Sequence, residues 1–129
     1  MLIDEQNATR LAAAYTAAWN SGSPDAVASF FANDGKIIIN RGDPWEGQAG
    51  VAKMAAGFFA DIPDLSLECD SVRVAGDHVA YQWTFTGTHA SSGKAVRVVG
   101  WEEWDINDQG KIKSSLGWFD SEDYARQTS

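Results

Sequence analysis

Three short turn signals in the second half of the chain constrain the fold most. "GD" at 76–77, "ASSG" at 90–93 and "NDQG" at 107–110 separate four long segments rich in β-branched and aromatic residues. These are "LSLECDSVRVA", "HVAYQWTFTGTH", "KAVRVVGWEEWDI" and "KIKSSLGWF". Two-residue and four-residue turns leave no room for a crossover, so consecutive strands must pair antiparallel. The half reads as a four-strand meander, closed by a short helix over "SEDYARQ".

The first half has a different period. Between Asp4 and Asn20 the large apolar residues are Leu11, Tyr15 and Trp19, spaced i, i+4, i+8 among alanines. That spacing gives one amphipathic helix with a small-residue face suited to close packing. In "NSGSPD", Gly22 suits a left-handed helix end, Ser23 caps the next helix and Pro24 fits its first turn. The second helix is expected from Pro24 to Phe31, burying Val27, Phe30 and Phe31 until "ANDG" breaks it. "KIIIN" is a short strand, "RGDPWEGQAG" a loop, and "QAGVAKMAAGFFADI" a third helix that Pro63 stops.

Helices first and an antiparallel meander after define an α+β fold. No linker, repeat or low-complexity stretch interrupts residues 1–129, so the expectation is a single domain. The sheet must curl to bury the helices, and Gly87, Gly100 and Gly117, one in each of the last three strands, permit bending. A curved sheet capped by helices encloses a cavity, where small molecules bind.

Charge narrows the occupant. A formal charge of -8 argues against nucleic acid and against an anionic membrane surface, since both need clustered Lys and Arg. A neutral or apolar small ligand stays open. The one cysteine, Cys69, has no disulfide partner and is expected to be a small strand residue of the buried kind. No Cys/His cluster offers metal-ligand spacing, so no metal or other cofactor is expected. "MLIDEQNATR" lacks a basic, apolar leader and no run approaches about 18 apolar residues. A cytoplasmic protein is the expectation.

Alternation along strands picks out candidate site residues. In the third meander strand, Val96, Val98, Gly100, Glu102, Trp104 and Ile106 share one face, and Arg97, Val99, Trp101, Glu103 and Asp105 share the other. If the first face lines the cavity, Glu102 is a desolvated carboxyl whose pKa rises, an acid near neutral pH. A bulge would instead let it pair with a base or reach water. In the last strand, Ile112, Ser114, Leu116, Trp118 and Asp120 share a face if no bulge intervenes. Asp120 is then either an acid/base at the cavity or the cap of the last helix, since "DSEDY" has a cap's composition. Tyr15 and Trp19 lie on the helix face that covers the sheet, as core or as ligand contacts. Trp45, in a Gly/Pro loop, is a lid or a dimer contact. His89, at a strand end, is a lesser candidate base, and His78, just after a turn, is expected to face water. Asn40, Phe58, Trp83, Trp104 and Trp118 complete the expected ligand-binding set. Nucleophile elbows, phosphate loops, dinucleotide fingerprints and H-E-x-x-H are all missing, which leaves carboxyl acid/base chemistry.

The pattern resembles the nuclear transport factor 2-like superfamily, specifically its SnoaL-like polyketide cyclase branch near the ketosteroid isomerases. The resemblance rests on "YTAAWNSGSPDAVASFFANDGKI", "WEGQAGV", "WTFTGTH" with "SGKAVRVVG", and "DQGKI" followed by "WFD". It implies a cone-shaped barrel of strongly curved antiparallel sheet packed on three N-terminal helices, a homodimer, and a pocket for a small hydrophobic molecule. Residue by residue, Asp120 matches the cyclase general acid/base. Glu102 falls near the isomerase aspartate that stays protonated, and Tyr15 loosely matches the oxyanion tyrosine. The isomerase base would fall where this chain has Ile38, Ile39 and Asn40, which departs from steroid isomerase activity. The short "ASSGK" turn also departs from the longer cyclase loop. The implied activity is a cofactor-independent cyclase or isomerase acting next to a carbonyl. The alternative is a non-catalytic binding or dimerisation module.

Overall fold

A computed structural model describes residues 3–129 of the chain. The element order is α1 (Glu5–Asn20), α2 (Pro24–Ala28), β1 (Phe31–Ile39), β2 (Trp45–Glu46), α3 (Gly47–Asp61), β3 (Ser66–Ala75), β4 (His78–Thr88), β5 (Ala95–Ile106), β6 (Ile112–Phe119) and α4 (Ser121–Thr128). The caps follow the sequence: the Asp4 carboxylate accepts the Asn7 N–H, and the Ser23 hydroxyl accepts that of Ala26.

The strands form one curved, unclosed sheet in the order β2-β1-β6-β5-β4-β3. The meander β3 to β6 pairs antiparallel throughout, as its turns require. The sheet is not purely antiparallel, because β1 joins it beside β6 in the parallel sense. The long connection from β1 to β6, which includes α3, makes such a parallel pairing possible.

β1 also begins earlier than expected. Phe31 is its first residue, not the end of α2, and lies opposite Ile112. Ordering this segment as sheet satisfies its backbone against β6, a long-range gain that five residues of helix cannot match.

The core lies between α1, α3 and the sheet. Tyr15, Ala8 and Ala12 of α1 and Val51 and Ala55 of α3 are sealed in it, with Val79, Tyr81 and Trp104 from the strands. Of the three strand glycines, Gly100 shows a clear need: a Cβ there would lie 2.5 Å from the Trp118 carbonyl oxygen and 2.5 Å from Cζ2 of Trp83. A Cβ at Gly87 would collide with Ile62, whereas one at Gly117 would make ordinary contacts. Cys69 does lie on a strand, but beside a break in the β3 register, and is exposed rather than buried. No helix among the described residues is long and apolar enough to cross a membrane.

Candidate functional site

The inner face of β5 alternates without interruption from Val96 to Ile106, so Glu102 points inward with only 7% of its surface exposed. Its partner across β4 is Tyr81 and across β6 is Gly117. Three neutral donors converge on one oxygen, Oε1. The Tyr15 hydroxyl donates over 3.0 Å, the Trp104 indole N–H over 3.0 Å and the Ser115 hydroxyl over 2.9 Å. The other oxygen, Oε2, has a single 3.3 Å contact, again from Tyr15. No cation is among these partners.

Burial pushes the Glu102 carboxyl above its ordinary range, and the hydrogen bonds from Trp104, Ser115 and Tyr15 offset part of that rise. Burial also raises the Tyr15 hydroxyl well above its usual range, and a charge on Glu102 would raise it further, so Tyr15 keeps its proton and donates it.

Glu102 opens onto a cavity of about 500 Å³, counted with its mouth to solvent. The walls are apolar: Trp19 from α1, Met54 and Phe58 from α3, and Trp83, Phe85 and Phe119 from the sheet are among them. Among the described residues, Glu102 is the one ionisable side chain in the lining. Such a cavity favours a neutral, largely apolar guest with an oxygen to meet the carboxyl.

Trp19, Phe58 and Trp83 of the expected set line the cavity; Trp118 borders it as well, but its ring is stacked on Trp101 on the outer face of the sheet. Tyr15 and Trp104 lie behind Glu102, fully buried, and reach the cavity only through it. The remaining residues are elsewhere. The Asn40 carboxamide oxygen accepts the Phe119 N–H, pinning a left-handed turn (φ 52°) to the end of β6. Trp45 is an exposed residue of β2 opposite Ile37 and does not line the cavity. The His89 ring and the Ser92 hydroxyl bond each other across the β4–β5 turn, 2.9 Å apart.

Asp120 faces solvent, and its carboxylate accepts the Asp123 N–H as the cap of α4. A bulge explains the placement. Asp105 pairs with Ser114 but Ile106 pairs with Ile112, so Lys113 is an extra residue on β6. Beyond it the parity inverts. Ser115 and Phe119 face inward, while Leu116, Trp118 and Asp120 face outward, contrary to the unbulged register. Ser115, the donor that the sequence pattern misses, comes inside by the same bulge. Arg126, in the last turn of α4, bonds Asp123 of its first turn, at 3.4 Å.

Comparison with known proteins agrees with this fold. Solved structures of similar fold include a hypothetical protein with a ketosteroid isomerase-like fold from Catenulispora acidiphila, in complex with trimethylamine. It is 21% identical, with a TM-score of 0.84 over 92% of this chain and 91% of the other. A candidate SnoaL-like polyketide cyclase from Jannaschia sp. CCS1 is 19% identical, with a TM-score of 0.86 over 97% and 93%. The epoxide hydrolase/cyclase-like enzyme SalBIII, described for pyran ring formation in the polyether salinomycin, is 21% identical, with a TM-score of 0.81 over 93% and 95%. No curated protein matches the chain. The sequence profile of the SnoaL-like domain matches residues 12–115, from within α1 to the inward-facing Ser115. With that match over most of its length and this cone-type fold, the chain belongs to the SnoaL-like domain family of the nuclear transport factor 2-like superfamily.

Proposed function

We propose that the protein is an acid/base enzyme of the cyclase or isomerase type, with Glu102 as the proton-bearing group. The observation that carries this reading is one buried carboxyl, free of any cation, in the wall of an otherwise apolar cavity. Three donors make Oε1 the accepting oxygen, which leaves the proton to Oε2. A carboxylic acid so held can hydrogen-bond the carbonyl oxygen of a neutral guest and stabilise the charge that develops there as a water or buffer base entering through the cavity mouth takes the α-proton. Tyr15, Trp104 and Ser115 are its positioning residues. Asp120 receives no step in this scheme, because its carboxylate is committed to α4. A second reading, a binding module without chemistry, is favoured by one observation: the lining supplies no second ionisable group to complete a proton relay.

The two readings separate in one assay. Acetophenone in D2O exchanges its methyl protons through its enolate, and proton NMR reads the rate. We expect the protein to accelerate the exchange and Glu102→Gln to lower that acceleration by about 100-fold or more. Binding of acetophenone with exchange no faster than in buffer would overturn the enzymatic reading and leave the binding module.

The outer sheet face supports a homodimer. Val99, Trp101, Leu116 and Trp118 expose 53%, 39%, 48% and 41% of their surfaces there, on adjacent strands. A contiguous apolar patch of this kind marks an interaction surface, and a second copy of the chain is the partner we propose.

A further inference from the structure

The glycines of β4, β5 and β6 differ in what keeps them glycine. A Cβ at Gly87 would collide with Ile62, and one at Gly100 would lie 2.5 Å from Trp83, so packing excludes a side chain at both. Gly117 has no such neighbour. A Cβ there would meet Cγ of Glu102 at 3.6 Å, Cγ1 of Ile39 at 3.7 Å and the Trp101 carbonyl oxygen at 3.8 Å, all ordinary contacts. Its φ lies outside the left-handed region, so the backbone does not call for glycine either. Its carbonyl accepts the Asn40 N–H at 2.9 Å, a bond that any residue could make. A glycine inside a strand weakens the strand, and it often marks a place where a ligand approaches the backbone closely. What Gly117 leaves is space beside the acid. It pairs with Ile39 on β1 and with Glu102 on β5, and it shares the inward parity of Ser115 and Phe119. Ile39, Glu102 and Gly117 all line the cavity. A side chain at 117 would therefore project into the cavity between Ile39 and Glu102.

We propose that Gly117 is a specificity-determining residue whose bare backbone seats the carbonyl-bearing end of the cavity ligand beside Glu102. The inference rests on the reading of Glu102 as the group that meets the ligand's oxygen, and deepens it. The seat is floored by backbone and walled by the Ile39 side chain and the acid. It takes the carbon that flanks the carbonyl, while the aromatic walls hold the apolar body. The ligand class becomes a neutral ketone with its carbonyl near one end, lying against the strand. Any side chain at 117 fills the seat before the ligand can.

The test adds carbon to the seat and reads binding by calorimetry. Gly117→Ala and Gly117→Val should weaken acetophenone about 10-fold and about 100-fold, the usual scale for filling a pocket by one or a few carbons. Toluene keeps the ring but has no oxygen to draw it to Glu102, so Gly117→Ala should leave its affinity nearly unchanged. Gly57→Ala, in α3 with open space around the new methyl, should alter neither ligand. The wild-type protein gives a check independent of how the variants fold. Bound acetophenone should show a nuclear Overhauser contact from its methyl or ortho protons, which flank the carbonyl, to the Gly117 α-protons. Unchanged acetophenone affinity in both Gly117 variants, or bound acetophenone without that contact, would overturn the inference and leave the Glu102 reading standing. Equal losses for acetophenone and toluene would mean a smaller cavity rather than a filled carbonyl seat, and would overturn it as well. Failure of acetophenone to bind the wild type would overturn both.

Discussion

Glu102 and Glu103 are neighbours in the chain and live in different solvents. Glu102 faces the cavity, where Tyr15, Trp104 and Ser115 meet it and burial raises its pKa. Glu103 is on the outer face with 44% of its side chain exposed, 3.2 Å from His78. One residue of strand separates a desolvated acid from a solvated ion-pair partner. The difference extends along both faces of β5 and β6. The inner face is apolar around a single polar cluster. The outer face is split, with charges around His78 at one end and the Trp101–Trp118 stack, 4.9 Å between centroids, at the other. The lesson is that chemistry in this fold is assigned by strand parity. Anything that shifts parity, such as the Lys113 bulge, exchanges which residues can react.

The sharpest way to break the comparison is to truncate both glutamates. Glu102→Ala removes the acceptor of three buried donors, and each donor left unpaired costs about 1–3 kcal/mol. A loss of about 3–5 kcal/mol in urea-denaturation stability is expected. Glu103→Ala should cost no more than about 0.5 kcal/mol, as for most exposed positions. Glu102→Gln should fall between, because its carboxamide oxygen still accepts while its NH2 carries no transferable proton. Equal losses for the two alanine variants would mean that the inner cluster is not a unit.

The inner face of β5 was legible from sequence because nothing interrupts its alternation: Val96, Val98, Gly100, Glu102, Trp104 and Ile106 are all buried. The helices were legible from the spacing of Leu11, Tyr15 and Trp19 and from the caps. What was not legible depended on long-range pairing. The bulge at Lys113 has no local signature, since "KIKSSLG" contains no residue that requires it, so Ser115 was not singled out and Asp120 was placed on the cavity face. The early start of β1 arises from its pairing with β6, which helical spacing within 24–31 cannot reveal. Asn40 looked like a residue of the cavity strand. Its left-handed backbone turns the side chain to the Phe119 N–H instead.

Acidity sharpens the comparison, because both faces hold a group with a raised pKa in a different window. Glu102 is raised by burial. His78 is raised first by its hydrogen bond to Asp105, 3.0 Å away, with Glu103 adding to it. A group whose folded pKa is raised holds its proton more tightly when folded. Its stabilisation is complete below the unfolded pKa and is lost as pH rises through the folded one. For Glu102 the loss starts near the ordinary carboxyl value of about 4.3, and for His78 near the ordinary imidazole value of about 6.5. Stability should therefore fall as pH rises from the first window, with a slope of up to about 1.4 kcal/mol per pH unit from Glu102. In Glu102→Gln the fall in the acidic window should disappear. In His78→Asn only the neutral window should flatten, and by less, because His78 is substantially exposed and solvent screens its partners. A wild-type stability that rises with pH up to about 4.3 and is level above it, with that rise absent from Glu102→Gln, would mean that Glu102 is ionised in the fold.

The smallest effect on the fold is expected on the outer apolar end. Trp101→Ser removes a ring that is 39% exposed and supported mainly by Trp118, so the stability of the separate chain should change by about 0.5 kcal/mol or less. Its consequence should appear in assembly. Sedimentation velocity should give a dimer for the wild type and a monomer for Trp101→Ser at the same concentration, with the Glu102 titration unaltered because that carboxyl opens to the other face. A wild-type monomer would remove the second copy as the cover for this patch. A dimer that persists in Trp101→Ser, Leu116→Ser and Val99→Ser alike would place the contact elsewhere on the chain. In either case the separation of roles by strand parity would rest on the inner face alone, since the outer face would then carry exposed tryptophans with no partner to account for them.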